Sequence, residues 1–339
     1  MNPVDQRPVL IVADAEDVHA LSVSAVLDRE FGVPTVIWDR ASLPATTAID
    51  FRVGDAGSSA ELHTVAGSYQ LEGFRSVWWR RALGFQIDPA VSDPRVRKYC
   101  AQECDAFVKG VTRSMRIPFV NDPFAELVAS RKPFQLSVAR GLGIPVPDTL
   151  ISNNPAAVID FWQAHRGDCI YKPLNAPDWT LPETRVLAEE DLEHLERLRH
   201  APMIVQEKIA KGVDVRVNIF GTAVFACEFD SSIPEAQLDW RLDLTARWRP
   251  HELPAALGDR LVTLLRALDL HYGCIDLRRQ PDGEYRFFEV NPSGQFLFAE
   301  IDTGQPLLHS LAALLTTAGD DSIRPLAPTR SSPIPESCR

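Results

Sequence analysis

Short apolar runs and an amphipathic stretch alternate at the start of the chain. Val9–Val12 is an unbroken apolar run, and Val36–Trp38 is a second one. Between these runs, the apolar residues of Asp17–Phe31 recur at the spacing of one helix face, and Gly32 and Pro34 end the pattern. Strand, helix and strand in this order predict a compact α/β unit with a parallel sheet.

The rest of the N-terminal region contains shorter patterns. Alternating short strands broken by glycines occupy Phe51–Leu71, and helical spacing extends over Arg95–Val111. Between them, an aromatic strand over Val77–Arg81 ends in two arginines, Arg80 and Arg81. Two interpretations of this pair remain open. It is either part of a salt-bridged domain surface, or it recognises an anion through planar guanidinium groups that bind two oxygens at once.

Helical and strand patterns continue through the remaining chain. The middle third predicts helices over Glu126–Leu142, Pro155–His165 and Glu189–Arg199, and strands over Cys169–Lys172 and Met203–Ile209. The last third predicts helices over Leu257–Leu268 and Pro306–Leu315, and hairpins that turn at Gly221–Thr222 and Asp282–Gly283. We therefore expect an α/β (α+β) chain with domains over 1–121, 122–203 and 204–319, followed by a disordered Pro/Ser-rich tail over 320–339.

The hairpin at Asp282–Gly283 brings polar residues together. With a two-residue turn there, Asp276 lies directly opposite Glu289. Asn291 is two residues beyond Glu289 and shares its face of the strand, whereas Val290 lies on the other face. Because opposed carboxylates repel each other, the pattern indicates a bound cation, and a ligand set of oxygens alone suits Mg²⁺. The alternatives are a solvated face that carries acids by chance, and a bulge that would turn Asp276 away.

Composition and charge narrow the function classes. The 339 residues are 45% hydrophobic and 24% charged, and the formal net charge is −11. This charge argues against a general binder of nucleic acid or of anionic membranes, because phosphate groups need a basic surface. No apolar run reaches membrane-spanning length, and the N-terminus has no signal-peptide pattern. The six cysteines are scattered without metal-ligand spacing, so we expect free thiols in a reduced cytoplasm.

A series of short motifs follows in a fixed order along the second and third predicted domains. The series is Lys132, Gly143-Ile144-Pro145, Tyr171-Lys172-Pro173, Gln206-Glu207-Lys208-Ile209, Asp214-Val215-Arg216-Val217, Asp276 and Glu289-Val290-Asn291. Each motif is common by itself, but their order resembles that of the ATP-grasp enzymes, including the D-alanine–D-alanine ligases and the glutamate ligases that modify a ribosomal protein. The resemblance implies an ATP-grasp fold over residues 122–317, preceded by a pre-ATP-grasp domain.

A narrower resemblance covers nearly the whole chain except the tail. The segments that carry it are Val77–Arg81, Val120–Pro123, Lys132–Leu136, Pro147–Pro155, Asp239–Arg241 and Asn291–Gln295. They are similar to the microviridin-type ligases, the ATP-grasp maturases of ribosomally made peptides (RiPPs) called graspetides. This family joins Asp or Glu side chains of a precursor peptide to Lys, Ser or Thr side chains, giving ω-amide or ω-ester macrocycles. The resemblance implies ATP and Mg²⁺ as cofactors, a precursor peptide with leader and core as partner, and a homodimer.

The resemblance also implies a role for each motif around the nucleotide phosphates. Asp276, Glu289 and Asn291 would hold Mg²⁺ ions that bridge the β- and γ-phosphates. Lys132 and Lys172 would neutralise the α- and β-phosphates from the other side. Such a division of labour suits phosphoryl transfer, which depends on charge neutralisation and positioning more than on protein nucleophiles.

Further residues are implied on the nucleoside side. Backbone groups of Gln206, Glu207, Lys208 and Ile209 would read the adenine edge, with the side chain of Ile209 packed on the ring. Asp214 lies five residues after Ile209 and would accept hydrogen bonds from the ribose hydroxyls.

Arginines complete the implied set. Arg216 shares a strand face with Asp214 and would stabilise the γ-phosphate or the acyl phosphate, unless it forms a core salt bridge with a site carboxylate. Arg241 would orient the substrate carboxylate. Arg80 and Arg81 would suit an acidic peptide, because they offer planar donors outside the ATP pocket.

One segment departs from the family pattern. ATP-grasp ligases often cover the phosphates with a glycine-rich loop after the second lysine, whereas residues 175–182 contain no glycine. Two further hypotheses therefore remain open: a ligase that adds a free amino acid to a peptide or small carboxylate, and a non-catalytic module that binds nucleotide or peptide. The intact set of Asp276, Glu289 and Asn291 argues against the second, and the Trp/Arg segments favour a peptide ligase over the first.

Overall fold

A computed structural model describes residues 7–55, 57–81, 84–175, 184–209, 212–229 and 247–318. The chain divides into two compact units, one within residues 1–122 and 312–339 and the other within residues 123–311. Three predictions fall outside the described residues: the disordered tail over 320–339, the role of Arg241, and all but the first residue of the glycine-free loop 175–182.

The N-terminal unit is built around a parallel sheet. Its elements are β1 Val9–Val12, α1 Val18–Phe31, β2 Thr35–Trp38, β3 Ala48–Gly54, β4 Gly57–Thr64, β5 Gly67–Gln70, β6 Ser76–Trp79, α2 Pro94–Ser114 and β7 Phe119–Val120. The parallel sheet has the order β2-β1-β6-β7, and β3-β4-β5 form a separate antiparallel sheet. The predicted strand–helix–strand unit with a parallel sheet is confirmed.

Helix α1 begins and ends where its sequence provides caps. Asp17 Oδ1 accepts the N–H of Ala20 at 2.8 Å, which satisfies a donor that the first turn leaves without a helical partner. Gly32 ends the helix at φ 61°, a left-handed conformation that glycine adopts without strain. Because β1 leads directly into this helix, the N-terminus of α1 lies beside the carboxyl end of β1.

The two arginines after β6 have different environments. Arg80 is 1% exposed, and its Nε donates to Asp17 Oδ1 at 2.9 Å while its guanidinium lies 5.4 Å from the ring centre of Trp78. This matches the salt-bridge interpretation for Arg80, because a buried guanidinium in an ion pair is not presented to a peptide on the surface. Arg81 is exposed and has φ 39°.

The burial of His19 and the charge of Arg80 predict that the N-terminal unit is less stable in acid. This histidine is 5% exposed, and burial together with the charge of Arg80 lowers its pKa from 6.5 to about 4. Below pH 6.5 this histidine binds a proton in the unfolded chain, whereas in the folded chain it stays neutral until the pH approaches 4. The free energy of unfolding therefore falls as the pH drops toward 4, and the loss then levels off. This difference corresponds to roughly 3 kcal/mol, at about 1.4 kcal/mol per pH unit.

We expect His19→Gln to flatten the stability profile between pH 7 and pH 4 relative to the unmodified chain, measured by urea unfolding at each pH. The matched control is the same change at His194, an exposed histidine. Parallel profiles for the His19 variant and the unmodified chain would contradict the assignment.

The second unit contains two antiparallel sheets with helices around them. Its elements are α3 Pro123–Ala129, α4 Lys132–Gly141, β8 Thr149–Ser152, α5 Pro155–Ala164, β9 Cys169–Lys172, β10 Arg185–Val186, a 3₁₀ helix Glu189–Arg199, β11 Met203–Glu207, β12 Val213–Phe220, β13 Ala223–Phe229, β14 Arg249–His251, α6 Ala255–Ala267, β15 Tyr272–Arg279, β16 Tyr285–Asn291 and α7 Leu297–Thr303. The sheet orders are β10-β9-β11-β8 and β14-β13-β12-β15-β16. Helix α8, Leu307–Thr317, follows, and none of the helices described is both long and apolar enough to cross a membrane.

The single helix predicted over Glu126–Leu142 is wrong, since the chain forms α3 and α4 with a break at residues 130–131. Proline at position 133 has no N–H, so a continuous helix would leave the carbonyl of Ala129 without its donor. That carbonyl instead accepts from Gln135 Nε2 at 2.6 Å. The proline therefore fits the first turn of a new helix, where a missing N–H is tolerated.

One face of the five-stranded sheet packs in the core, and the other, called here the polar face, carries charged residues beside aromatic ones. Strand β12 shows the alternation clearly: Val215, Val217 and Ile219 are buried in the core that α6 completes. Asp214 and Arg216 lie on the opposite face. That opposite face carries the residues that the sequence singles out for chemistry.

Candidate active site

The hairpin of β15 and β16 has the predicted pairing of Asp276 with Glu289, but a different turn. Gln280 N–H donates to Glu284 O at 2.7 Å, so three residues form the loop, with Gly283 at φ 89°. The predicted two-residue turn is therefore wrong. A bulge between Asp276 and Leu277 shifts the register back by one residue, and Asp276 still faces Glu289.

The bulge decides which side chains of β16 reach the polar face. Phe287 and Val290, three residues apart, both pack in the core, a spacing that a regular strand does not allow. Phe288 and Glu289 therefore both lie on the polar face, and Asn291 follows in regular alternation. The bulge thus adds an aromatic ring beside the predicted oxygen ligands.

The predicted oxygen ligands form one hydrogen-bonded cluster. Asn291 Nδ2 donates to Asp276 Oδ2 at 2.9 Å and to Glu289 Oε1 at 3.2 Å. Arg216 Nη1 donates to both oxygens of Asp276, at 2.7 and 2.9 Å. Lys132 Nζ forms an ion pair with Glu289 Oε2. Two carboxylates joined by an amide are thus neutralised by two cations from different elements.

The charges of the cluster follow from burial and these partners. Burial raises the pKa of Glu289, but the charges of Lys132 and Lys172 outweigh it and lower that pKa to about 2. Burial and the charge of Glu289 raise the pKa of Asp276, and Arg216 opposes the rise. Glu289 is therefore an anion at neutral pH that depends on nearby cations.

The cluster fits a Mg²⁺ ion by its donor chemistry. Asp276 and Glu289 offer carboxylate oxygens, and the amide of Asn291 carries the carbonyl oxygen that this ion also accepts. The side chains of Asp276 and Glu289 are 21% and 27% exposed, so the ligands can be reached. Among the residues described, no group of three or more His, Cys, Asp or Glu side chains is arranged to hold a metal, which leaves this mixed set as the candidate.

The aromatic ring of Phe288 connects the cluster to the four-stranded sheet. Lys172 Nζ lies 5.9 Å from its ring centre and the guanidinium of Arg278 lies 5.5 Å away. Arg278 also holds Asp214, through bonds of 2.8 and 3.1 Å to its two oxygens. Asp214, predicted to bind ribose, therefore belongs to a fixed ion pair beside Phe288.

The predicted adenine-reading segment leaves the four-stranded sheet at the end of β11. Gln206 is 1% exposed, and its Nε2 donates to Thr149 Oγ1 at 2.8 Å. Glu207 Oε2 accepts the N–H of Asp148 at 3.0 Å, and Lys208 Nζ lies 3.7 Å from a carboxylate oxygen of Asp168, while Ile209 is buried. The side chains of Gln206 and Glu207 are thus bonded to Thr149 and Asp148, and the role of the segment in binding adenine stays a prediction.

The loop after β16 lies directly over Arg216. Arg216 Nη2 donates to Gln295 O at 3.0 Å, and Ser293 Oγ lies 2.7 and 2.8 Å from the two carboxylate oxygens of Glu126. A Cβ at Gly294 would collide with Cys274, so only glycine permits this close approach. The loop therefore forms a tight cover on the arginine side of the cluster.

The structure brings some of the predicted residues together within the second unit. Lys132, Arg216, Asp276, Glu289 and Asn291 form the cluster, and Lys172 is near it through Phe288. Arg80 and Arg81 belong to the N-terminal unit. The sequence predicts no role for Phe288, Gln135 or Gly294, although the singled-out segments Lys132–Leu136 and Asn291–Gln295 contain the last two.

Comparison with known proteins agrees with the fold. Residues 8–127 match the MvdD pre-ATP grasp domain. The RiPP-associated ATP-grasp ligase of Chryseobacterium gregarium, solved with ADP and a leader and core peptide, is 27% identical, with a TM-score of 0.84 over 91% of this chain and 96% of that one. No curated protein sequence matches the chain.

Two further solved structures are similar. The macrocyclase MdnC of Microcystis aeruginosa, bound with precursor peptide MdnA, is 27% identical, with a TM-score of 0.81 over 91% of this chain and 98% of that one. The ATP-grasp ligase PsnB, complexed with a phosphomimetic variant of a minimal precursor, Mg and ADP, is also 27% identical, with a TM-score of 0.74 over 91% and 98%. The motif order, the pre-ATP-grasp match and these likenesses agree: the chain is an ATP-grasp ligase that is similar to the microviridin-type ligases of RiPP biosynthesis.

Proposed function

We propose that this enzyme joins an Asp or Glu side chain of a ribosomally made precursor peptide to a Lys, Ser or Thr side chain, using ATP. The observation that carries the proposal is the cluster of Asp276, Glu289 and Asn291 with Lys132 and Arg216. Such a set of fixed charges suits the binding of a triphosphate, and phosphoryl transfer to a carboxylate of the substrate depends on charge neutralisation and positioning.

The reaction has two steps. A carboxylate oxygen of the peptide attacks the γ-phosphorus of ATP, the bond to the β-phosphate oxygen breaks, and ADP leaves, which gives an acyl phosphate. The amine nitrogen or hydroxyl oxygen of the second side chain then attacks the acyl carbon, the carbon–oxygen bond to phosphate breaks, and phosphate leaves as the nucleophile loses a proton. Each ring therefore removes one water from the peptide and converts one ATP to ADP and phosphate.

The residues of the cluster divide the work of phosphate binding. Asp276, Glu289 and Asn291 would hold Mg²⁺, which when bound neutralises charge on the β- and γ-phosphates. Lys132 neutralises Glu289 in the free protein and is positioned to exchange this partner for a phosphate oxygen. Arg216, fixed by Asp276 and by Gln295 O, offers a buried cation for the acyl phosphate.

The nucleoside side rests on the segment between the two sheets. We assign the backbone of Gln206 to Ile209 to the adenine edge, and Asp214 to the ribose, since each carboxylate oxygen keeps a lone pair beyond its bond to Arg278. Phe288 adds an aromatic surface beside Lys172. The base would thus contact apolar groups, and the phosphates would contact cationic groups.

We expect Lys172→Ala to weaken ATP binding by about 1.5–3 kcal/mol, the usual scale of a charge-assisted contact. This corresponds to roughly 10- to 150-fold in the dissociation constant, measured by calorimetry. Lys98→Ala, which removes an exposed lysine from α2, is the matched control and should leave the affinity unchanged. Equal affinities for the two variants would remove Lys172 from the nucleotide site.

Peptide binding is assigned to Arg81, with Arg80 in support. In the parallel sheet, α1 connects β1 to β2 on one side, and β6 lies on the other side of β1. The order in which strands are added therefore reverses between β1 and β6. Ligands of open α/β sheets bind beyond the carboxyl ends of strands at such a point. Arg81 is exposed there and suits an acidic peptide, whereas Arg80 supports it from the buried ion pair. Arg241 is proposed to orient the substrate carboxylate.

The test of the function is co-expression with a short peptide encoded beside this chain that contains Thr, Ser or Lys and Asp or Glu in its core. We expect mass spectrometry to show the loss of one water per ring, dependent on ATP in the purified system. Arg81→Ala should weaken binding of the labelled peptide in fluorescence anisotropy without changing ATP affinity. An unmodified peptide together with transfer of a free amino acid would replace this proposal by the other ligase class.

We also propose a homodimer that acts in the cytoplasm, where ATP and Mg²⁺ are supplied. Helix α2 exposes Val96, Tyr99 and Phe107 by 46%, 59% and 39%, and their spacing places them on one face. A second copy of the chain would cover this apolar face. Sedimentation equilibrium should give twice the 37.7 kDa of one chain, and Tyr99→Glu should return the mass to that of one chain.

A further inference from the structure

Gln135 is a buried polar residue that the proposed chemistry does not use. It lies in the first turns of α4 and is 2% exposed. Burying an amide is unfavourable unless its donors and acceptor are bonded. Its Nε2 donates to Ala129 O at 2.6 Å and to Val290 O at 2.8 Å, and its Oε1 accepts the N–H of Val290 at 3.0 Å. Both amide protons and the oxygen are therefore engaged.

These bonds complete the outer edge of β16. This strand is the last in the sheet order and pairs with β15 alone in the part of the chain that the structure describes. The N–H and C=O of Val290 would otherwise lack a strand partner on this side. The amide of Gln135 presents a donor and an acceptor side by side, as the peptide group of a neighbouring strand would. One side chain thus replaces a missing strand at one residue.

Val290 lies between two proposed metal ligands. Glu289 precedes it and Asn291 follows it, so fixing both backbone groups of Val290 fixes the peptide planes that orient these two side chains. Lys132, one helical turn before Gln135, contacts Glu289 directly. Helix α4 therefore holds β16 at two points: Gln135 bonds the backbone of Val290, and Lys132 pairs with the side chain of Glu289.

The packing of Val290 argues that Gln135 contributes more to orientation than to stability. The side chain of Val290 is 2% exposed and belongs to the core, so hydrophobic contacts already hold the strand in place. Pairing with β15 holds Glu289 and Asn291 from the inner side of the strand, and the bonds of Gln135 hold the peptide groups of Val290 from the outer side. Partners outside the ligand set commonly tune a metal site in this way.

We propose that Gln135 is a positioning residue of the metal site, which aligns Glu289 and Asn291 by bonding the backbone between them. The inference rests on the proposed function, because it takes these residues as metal ligands. It extends that function to a residue that touches neither the metal nor the nucleotide.

The test is a titration of Mn²⁺ into the full chain with a non-hydrolysable ATP analogue, followed by electron paramagnetic resonance. Gln135→Met keeps the length of the side chain and removes all three hydrogen bonds. We expect it to raise the half-saturating Mn²⁺ concentration about tenfold, the lower end of the range for such outer partners. Gln305→Met is the matched control, because Gln305 Nε2 donates to a backbone carbonyl of the same sheet, Ala226 O at 2.9 Å.

The outcomes separate positioning from general stability. Weaker Mn²⁺ binding in the Gln135 variant alone, together with ligation restored by excess metal, supports the inference. Unchanged Mn²⁺ binding, or equal losses in both glutamine variants, overturns it. Where Gln135→Met does not fold, Gln135→Asn withdraws the amide by one carbon–carbon bond and is judged by the same criteria. Mn²⁺ binding is read without the peptide, so the absence of rings in the unmodified enzyme would count against the proposed function alone.

Discussion

Glu289→Gln is expected to reduce ring formation by more than about a hundredfold, the scale for removal of one electrostatic group from an active site. The change keeps the shape of the side chain and removes the charge that attracts a cation. Asn291 Nδ2 keeps a carbonyl oxygen to bond at this position, and Lys132, 21% exposed, stays solvated after losing its partner. The fold should therefore persist while ligation is lost.

The measurement is ring formation by mass spectrometry, with circular dichroism to confirm the fold. Glu284→Gln is the matched control: it lies on the same hairpin, its side chain is 61% exposed, and its ion pair with Arg286 is at 3.4 Å. We expect the control to retain activity. Normal turnover by the folded Glu289 variant would remove the metal assignment, and Asn291→Ala should behave as Glu289→Gln does.

Arg216→Met is expected to lose both ligation and about 3–5 kcal/mol of folding stability, the scale for removing one partner of a buried ion pair. Arg216 is 5% exposed and holds Asp276 with two short contacts. Methionine fills much of the space but leaves that carboxylate without its cation. The loop bond to Gln295 O is lost at the same time.

A double variant separates the two effects. Arg216→Met combined with Asp276→Asn removes the uncompensated charge, so most of the stability should return while ligation stays absent. Stability is measured by urea unfolding and ligation by mass spectrometry. Arg247→Met, which breaks an ion pair with Asp302 from a side chain that is 79% exposed, should cost at most about 1 kcal/mol. A double variant as unstable as Arg216→Met would show that the charge of Asp276 is not the cause.

The facing of Asp276 and Glu289 could be predicted from the sequence, although the loop length and the bulge that produce it could not. The Asp282–Gly283 dipeptide suggested a two-residue turn, whereas the chain uses three residues and a bulge. These two departures offset each other at the metal pair. Bulges depend on which side chains the core accepts, here Phe287 and Val290, and hydrophobic alternation alone does not reveal this.

Helices could be predicted where the spacing of apolar residues is regular, and the prediction was wrong where the single residue Pro133 ends the helix. The apolar period of Glu126–Leu142 continues through Pro133, so periodicity alone suggested one helix instead of α3 and α4. The side chain of Gln135, which bonds the carbonyl of Ala129 at the break, also bonds Val290, 155 residues away in the sequence. Similarly, the sequence leaves two roles open for Arg216, phosphate binding and a salt bridge. Only the structure shows that it forms an ion pair with Asp276.

The hairpin of β15 and β16 also constrains where residues can be gained or lost in this chain. Phe288 is an extra residue between the pairs Leu277–Phe287 and Asp276–Glu289, so deletion of Phe288 alone would leave both pairs in place. A deletion or insertion elsewhere in either strand between the loop and the bulge would instead place Asp276 opposite a neighbour of Glu289 and turn one carboxylate toward the core. Insertions and deletions that preserve activity should therefore be confined to the loop and the bulge. Aligned relatives that lack the Phe288 position are accordingly expected to keep Asp276 opposite Glu289.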